Sequence, residues 1–414
     1  MPSETPLRRW RAPLLALAFG LGLSLLLVEL VGRALGLLPI DPPESFYALR
    51  AAVGTIPEPY QRFTYAFLDE FRTPLRFNYR SLRDVDHDYA RASGQTRVMF
   101  LGDSFTAAWQ VTLEQSYVGQ LRARLAGQPV ELINAGWHGW GNDRQWLFYR
   151  TEGHKYAPDA VVLQVYAGND LIDNGALLWS EKRLDDGRRV VPHPLDPARA
   201  YVRLDDSDQL IHVPPQRLPL TETERVGGVR SWLRRYSVVY RLLDGLLSAS
   251  DDDSAALPAP PDDELPLEYY GFSPQAAQDS EWQAAEALTL ALLRAIRREV
   301  EAHDGRLVVM LVESRWLLDD ESWQALRRER AFPPDWQAER MGAWWRAVLA
   351  QEDIPVLETL PALRDHAART GRVPSFRHDG HWTAEGHCVV AELLHAWLSE
   401  QSLWPAPNQA SACG

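Results

Sequence analysis

The chain has two cysteines in 414 residues, Cys388 and Cys413, so neither a disulfide framework nor a cysteine-based metal site can be argued from it. Basic charge is also short: 43 Lys and Arg against 56 Asp and Glu leave a net charge of -13. Nucleic acid is therefore not an expected partner, because neutralising phosphates needs a basic surface. No internal repeat is present, and the one glycine-rich turn has no following lysine, which excludes a Walker-type phosphate cradle. Apolar material, by contrast, is plentiful. With 46% hydrophobic residues and sixteen Trp the chain can bury a large core, and its length suits one elaborated domain or a domain with attachments.

Residues 14–28 carry no charge, and the apolar run continues to Leu38 apart from Glu29 and Arg33. That is enough to span a hydrocarbon core of ~30 Å. Glu29 and Arg33 lie one helical turn apart and can pair. Arg8, Arg9 and Arg11 precede the run, whereas Asp41 and Glu44 follow it. The positive-inside rule then leaves the N-terminus in the cytoplasm and the rest of the chain periplasmic or extracellular. A cleaved signal peptide shares these features. Its nearest cleavage-like site, Ala34-Leu35-Gly36, falls inside the apolar run, so an uncleaved anchor is the expectation. The plan that follows is a basic stub (1–12), an anchor (13–38), a Pro-rich tether with an aromatic lead-in (39–92), a globular domain (93–400) and a tail (401–414). An insertion at 175–270 interrupts the domain, and 250–266 within it has the composition of a disordered linker.

Short apolar runs alternate with helical periods through the domain. Strands are expected at 97–101, 130–133, 160–166, 306–312 and 354–357. Helical patterns fall at 116–125, 144–153, 281–303, 335–351 and 389–398, with another inside the insertion at 231–248. Alternation of this kind predicts right-handed βαβ units and a parallel sheet covered on both faces.

Four blocks fall at the edge of that sheet where ligands bind. Gly102-Asp103-Ser104 puts a serine on a strand-to-helix turn, its backbone N–H at the positive end of the helix. On those residues alone, a helix cap is the simpler reading. Residues 134–141 make the glycine-rich turn, containing Trp137, His138 and Gly139. Gly168-Asn169-Asp170 follows the third strand, and an Asn-Asp turn is its rival reading. The last block is His378-Asp379-Gly380-His381-Trp382, ahead of a Thr383-x-x-Gly386 turn into the final helix.

In this order the blocks resemble those of the SGNH (GDSL-like) hydrolase superfamily, over about 97–174 and 307–398. The resemblance implies a three-layer α/β/α sandwich with a mainly parallel, flavodoxin-like sheet. It also implies Ser104 as nucleophile, His381 as base and Asp379 as its orienting carboxylate. The backbone N–H groups of Ser104 and Gly139 and the side-chain amide of Asn169 would form the oxyanion hole. Elementary chemistry agrees, since a serine hydroxyl needs an adjacent base and the base needs a fixed tautomer. One departure stands out: Asp379 and His381 are separated by a single residue, where the common esterase branch has two. That shorter form, followed by Trp, looks like the membrane-linked SGNH proteins that handle O-acetyl groups of exported polysaccharides. The implied activity is hydrolysis or transfer of a short acyl ester on a carbohydrate. A lipid or lysophospholipid esterase and a non-catalytic polysaccharide-binding scaffold are the alternatives.

Other residues read more simply. His378 and His387 would be rival bases only in a shifted register, and otherwise serve a turn and a helix cap. A metal held by His378, Asp379 and His381 would leave the serine and asparagine blocks without purpose, so no metal and no cofactor are expected. Trp137 and His138 could meet substrate or simply pack. Trp344 and Trp345 read as core and rim, and Glu313 with Arg315 as a surface salt bridge, a substrate contact being the alternative.

Overall fold

The computed structural model describes residues 6–34, 43–218, 233, 236–240, 243 and 264–404. It divides into two units, 1–41 with 219–255, and 42–218 with 256–414. In the first, helix α1 (Pro6–Ala34) contains one stretch, Ala12–Ala34, long and apolar enough to cross a membrane, with mean hydropathy 2.4. Glu29 accepts a hydrogen bond from Arg33 Nε at 2.9 Å, as the spacing requires, and others at 3.1 Å from Ser237 Oγ and Val239 N. Most of the helical pattern at 231–248 and the linker through 263 lie outside the described residues.

The second unit opens with helix α2 (Glu44–Val53), whose Phe46, Leu49 and Val53 are buried. The stretch expected as a tether is thus partly core. An antiparallel hairpin follows, β1 (Arg62–Phe67) with β2 (Phe71–Arg76). The central sheet starts at β3 (Thr96–Gly102), β4 (Val130–Gly136) and β5 (Ala160–Tyr166). Five short strands then belong to the insertion: β6 (Lys182–Arg183), β7 (Arg189–Val191), β8 (Tyr201–Leu204), β9 (Leu210–Val213) and β10 (Glu264–Pro266). The last residues of the expected linker are therefore strand, paired in parallel with β7. Strands β11 (Arg306–Val312) and β12 (Val356–Glu358) complete the sheet, in the order β4-β3-β5-β11-β12 with every pair parallel. Counted along the chain this is the doubly wound order 2-1-3-4-5.

Burial on both faces explains the continuous apolar runs. Met99 and Leu101 face one layer, with Phe148, Leu292, Ile296 and Trp345, while Val98 and Phe100 face the other, with Tyr117, Leu121, Val390 and Leu394. The first layer comprises helices α5 (Asn142–Thr151), α8 (Ser280–Ala302) and α10 (Arg340–Gln351), and the second α4 (Tyr117–Arg124) and α12 (Ala384–Glu400). Two short helices, α3 (Ser104–Ala107) and α6 (Asp170–Asn174), follow β3 and β5. Outside the expected set are α7 (Leu267–Tyr270), α9 (Asp320–Glu329) and α11 (Leu360–Thr370). Helix α10 begins at Arg340 rather than 335, because the N–H groups of Trp336 and Gln337 turn back to Pro333 and Phe272.

The insertion is tied into the core by charge. Arg199 reaches Asp143 at 3.2 Å and Asp173 at 3.3 Å, at the starts of α5 and α6, and donates to the Asp173 carbonyl at 2.7 Å. Asp143 is fully buried and Arg199 nearly so. Breaking such a pair from one side leaves uncompensated buried charge. Arg199→Ala should therefore cost about 3 kcal/mol, read by urea unfolding. A loss below ~0.5 kcal/mol would mean that the pair behaves as an exposed one.

Candidate active site

Strand β3 ends where the chain must turn sharply. Asp103 caps α3, its Oδ1 accepting the Phe105 N–H at 2.8 Å, and its own N–H donates to Gln164 Oε1 at 3.0 Å. Ser104 is thereby the first residue of a helix, at the carboxyl end of the first sheet strand and beside the second and third. The cap and the nucleophile readings coexist, since the cap is what aims the serine. The other end of α3 is held by the buried Arg83, whose guanidinium donates to the carbonyls of Ala107, Ala108 and Val111.

Opposite Ser104 stands the loop before α12. His381 Nε2 lies 2.7 Å from Ser104 Oγ, and His381 Nδ1 lies 2.7 Å from Asp379 Oδ1. A carboxylate only accepts, so Nδ1 carries the proton and Nε2 is left to accept from the serine hydroxyl. Gly380, at φ +88°, explains the one-residue spacing. Its left-handed backbone folds the loop so that Asp379 Oδ1 also accepts the His381 N–H at 3.2 Å. Burial pushes the Asp379 carboxyl up, but its hydrogen bonds with His381 and Gln110 and the attraction of the His381 ring together outweigh it, and the group is held below the ordinary carboxylate range. The loop is closed by the Phe376 N–H donating to the His381 carbonyl at 2.8 Å and by Ser375 Oγ donating to the Gly380 carbonyl at 2.7 Å.

Strand β4 runs further than expected, so Asn134, Ala135 and Gly136 are strand and only 137–141 form the turn. Gly136 must lack a side chain, as a Cβ there would sit 2.4 Å from the Ala107 nitrogen of α3. Asn134 Nδ2 donates to the Thr106 carbonyl at 2.9 Å, and Trp137 N donates to Gly102 O at 3.1 Å, which fastens this turn to the serine turn. The Gly139 carbonyl accepts from the Arg144 guanidinium of α5. Asn169 stands at the N-cap position of α6 beside the end of β5, with no capping bond from its side chain. Among the described residues, the N–H of Ser104, the N–H of Gly139 and the Asn169 amide nitrogen have no protein acceptor. Sheet order places their three turns side by side.

The remaining candidates separate clearly. His387 is buried and accepts the Tyr117 N–H at 3.3 Å, and burial pulls it down to about 3, so it is a helix-cap acceptor. His378 is exposed. Trp137 is buried and stacks on Trp140 at 4.7 Å. His138 is exposed, stacked on Trp109 at 4.9 Å with its ring 6.3 Å from that of His381. Glu313 pairs with Arg346 at 3.1 Å. No cluster of His, Cys, Asp or Glu among the described residues could hold a metal ion. Sequence reading missed Gln164, although a glutamine in the apolar run of β5 was a visible signal. It also missed Glu70 and Arg83, whose partners are too distant in the chain to leave one, and Arg144, whose partner Gly139 is only five residues back.

Residues 272–412 match a family model described as the SGNH hydrolase-like domain of the acetyltransferase AlgX. That third of the chain includes Asp379 and His381. The chain carries an SGNH hydrolase-like domain. As such it is an esterase or acyltransferase. No curated protein matches it by sequence. Solved structures similar to it include TesA (12% identity, 75% of this chain and 100% of that chain, TM-score 0.37) and a catalytic mutant of Axe2, an acetylxylan esterase from Geobacillus stearothermophilus (11%, 74% and 94%, TM-score 0.36). A putative acylhydrolase from Bacteroides fragilis is similar at the same level (11%, 76% and 91%, TM-score 0.33). Likeness so distant says nothing of substrate.

Behind the serine of this SGNH domain lies unusual charge. Asp103 is fully buried with Oδ2 unpartnered, and desolvation pushes its carboxyl up to about 6. Its folded value exceeds its unfolded value near 3.8, so the folded chain binds the extra proton between the two. Stability should fall as pH rises from about 4 to about 6 and stay lower above. Asp103→Asn should flatten that part of the profile of melting temperature against pH, and an unchanged slope would assign the dependence elsewhere.

Proposed function

We propose that the chain is an extracytoplasmic, serine-dependent enzyme that removes or transfers acetyl groups on a carbohydrate. The observation carrying this reading is the unbroken hydrogen-bond line from Ser104 Oγ through His381 to Asp379, 2.7 Å at each step. His381 Nε2 takes the hydroxyl proton as Ser104 Oγ attacks the ester carbonyl carbon. Negative charge moves to the carbonyl oxygen, where the N–H groups of Ser104 and Gly139 and the Asn169 amide receive it. Collapse of that intermediate breaks the ester C–O bond, and His381 returns the proton to the departing alcohol. Water or a second hydroxyl, deprotonated by the same nitrogen, then attacks the acyl-serine; the bond from the acyl carbon to Ser104 Oγ breaks, and His381 returns the proton to that oxygen. Asp379 keeps the imidazole in the right tautomer and stabilises the imidazolium.

The acetyl group is supported by the description of the matching family as an acetyltransferase. A carbohydrate is supported by the Asp-x-His-Trp form of the last block. The location outside the cytoplasm is supported by the apolar helix with its preceding arginines. The same helix supports the membrane as a partner.

The detergent-solubilised chain should cleave an activated acetyl ester, and Ser104→Ala should abolish the reaction; cleavage that survives the substitution would sink the mechanism. Incubation with an acetyl donor and an oligosaccharide should yield acetylated sugar if a hydroxyl outcompetes water. Faster cleavage of long-chain than of acetyl esters would favour a lipid substrate instead. Asn169→Ala should lower kcat by about 10²- to 10³-fold, the usual loss for one oxyanion donor, and an unaltered kcat would remove Asn169 from that role.

A further inference from the structure

The β1–β2 hairpin comes from the lead-in, outside all four sequence blocks, yet it reaches the catalytic loop. Glu70, in its turn, sets its two carboxylate oxygens on two successive backbone amides: Oε1 accepts the His378 N–H and Oε2 the Asp379 N–H, each at 2.8 Å. Charge-assisted bonds of this bidentate kind fix orientation as well as position. The amide so held belongs to Asp379 itself, whose carboxylate must meet His381 Nδ1. Arg315 packs against the same loop, its Cδ 3.3 Å from where a Cβ on Gly380 would stand.

The hairpin is anchored independently of that contact. Thr73 Oγ1 donates to the Gln110 carbonyl at 2.9 Å, and Phe63 and Tyr65 each pack against Trp109 at 5.5 Å. Tyr65 also meets His138 at 5.9 Å, and Phe71 meets Phe376 at 5.1 Å. One small element therefore touches the segment after the nucleophile helix, the glycine turn and the histidine loop.

We infer that Glu70 is a positioning residue for the Asp379–His381 pair and that the hairpin braces the catalytic centre. This inference rests on the reading of the site given above. It requires the loss to appear in the chemical step. Glu70→Ala should lower kcat roughly ten- to hundredfold, the scale on which small misplacements act, with KM for an activated acetyl ester changed by less than about twofold, as expected when only transition-state interactions are lost. Labelling of Ser104 by a fluorophosphonate, which reads nucleophile activation without an acceptor, should slow by the same factor. Glu70→Gln keeps one acceptor oxygen of the two and should fall between Glu70→Ala and the wild type, and it carries the test if Glu70→Ala does not fold. A wild-type kcat and labelling rate in both variants would overturn the inference, as would a rise in KM at constant kcat. Ser104→Ala, run alongside, separates the two ideas. If it is inactive while the Glu70 variants are normal, the brace fails and the mechanism stands; if it remains active, the mechanism itself has failed.

Discussion

A serine hydroxyl becomes a nucleophile only when a base waits within hydrogen-bond reach, and the imidazole within reach of Ser104 belongs to a residue 277 positions further along the chain. The geometry of the fold is the answer to that separation. A parallel sheet in the order 2-1-3-4-5 leaves the carboxyl ends of its first three strands adjacent, and the serine, glycine and asparagine turns leave the sheet there. The histidine loop is delivered from the far end of the chain by α12, which packs with α4 on one face of the same sheet. Neither the serine nor the histidine could be placed by local structure alone.

Holding those turns has required buried polar chemistry that a plain α/β core would avoid. Asp103, Gln164, Asn134 and Arg83 all lie beneath or beside α3, and each satisfies a backbone group at the serine turn or next to it. Asp170 is also buried, and desolvation together with the Asp103 charge raises its carboxyl well above the ordinary range. Arg144 holds the Gly139 carbonyl, and Arg199 ties the insertion to the starts of α5 and α6. Removing one partner from such sets costs more than the contact itself, because the other group stays buried and unpaired. The insertion thus contributes a counter-charge to the shell around the site.

Much of this arrangement was legible beforehand. Buried parallel strands must be apolar on both faces, so β3, β5 and β11 stand out as runs, and the cap residues Asp103 and Thr383 mark the helices that follow the serine and histidine loops. The β1–β2 hairpin was missed although a period of two was present, in Phe63, Tyr65 and Phe67 and again in Phe71, Thr73 and Leu75; what the sequence could not show is that it packs on Trp109, His138 and Phe376, far along the chain. Helix α2 was hidden by the prolines before it, and α11 by a stripe of only three buried residues.

By itself the sequence determined the apolar N-terminal span, the parallel sheet and the identity of Ser104, Gly139, Asn169, Asp379 and His381 as candidates, because periodicity and short motifs are local properties. Tertiary structure alone decided that Ser104 Oγ meets His381 Nε2, that Gly380 turns Asp379 back onto the same ring, and that Glu70, Arg144 and Arg199 support the loops. Most of those contacts join residues far apart in the chain, and those of Gly380 and Arg144 depend on how a short turn folds; no spacing along a sequence encodes either.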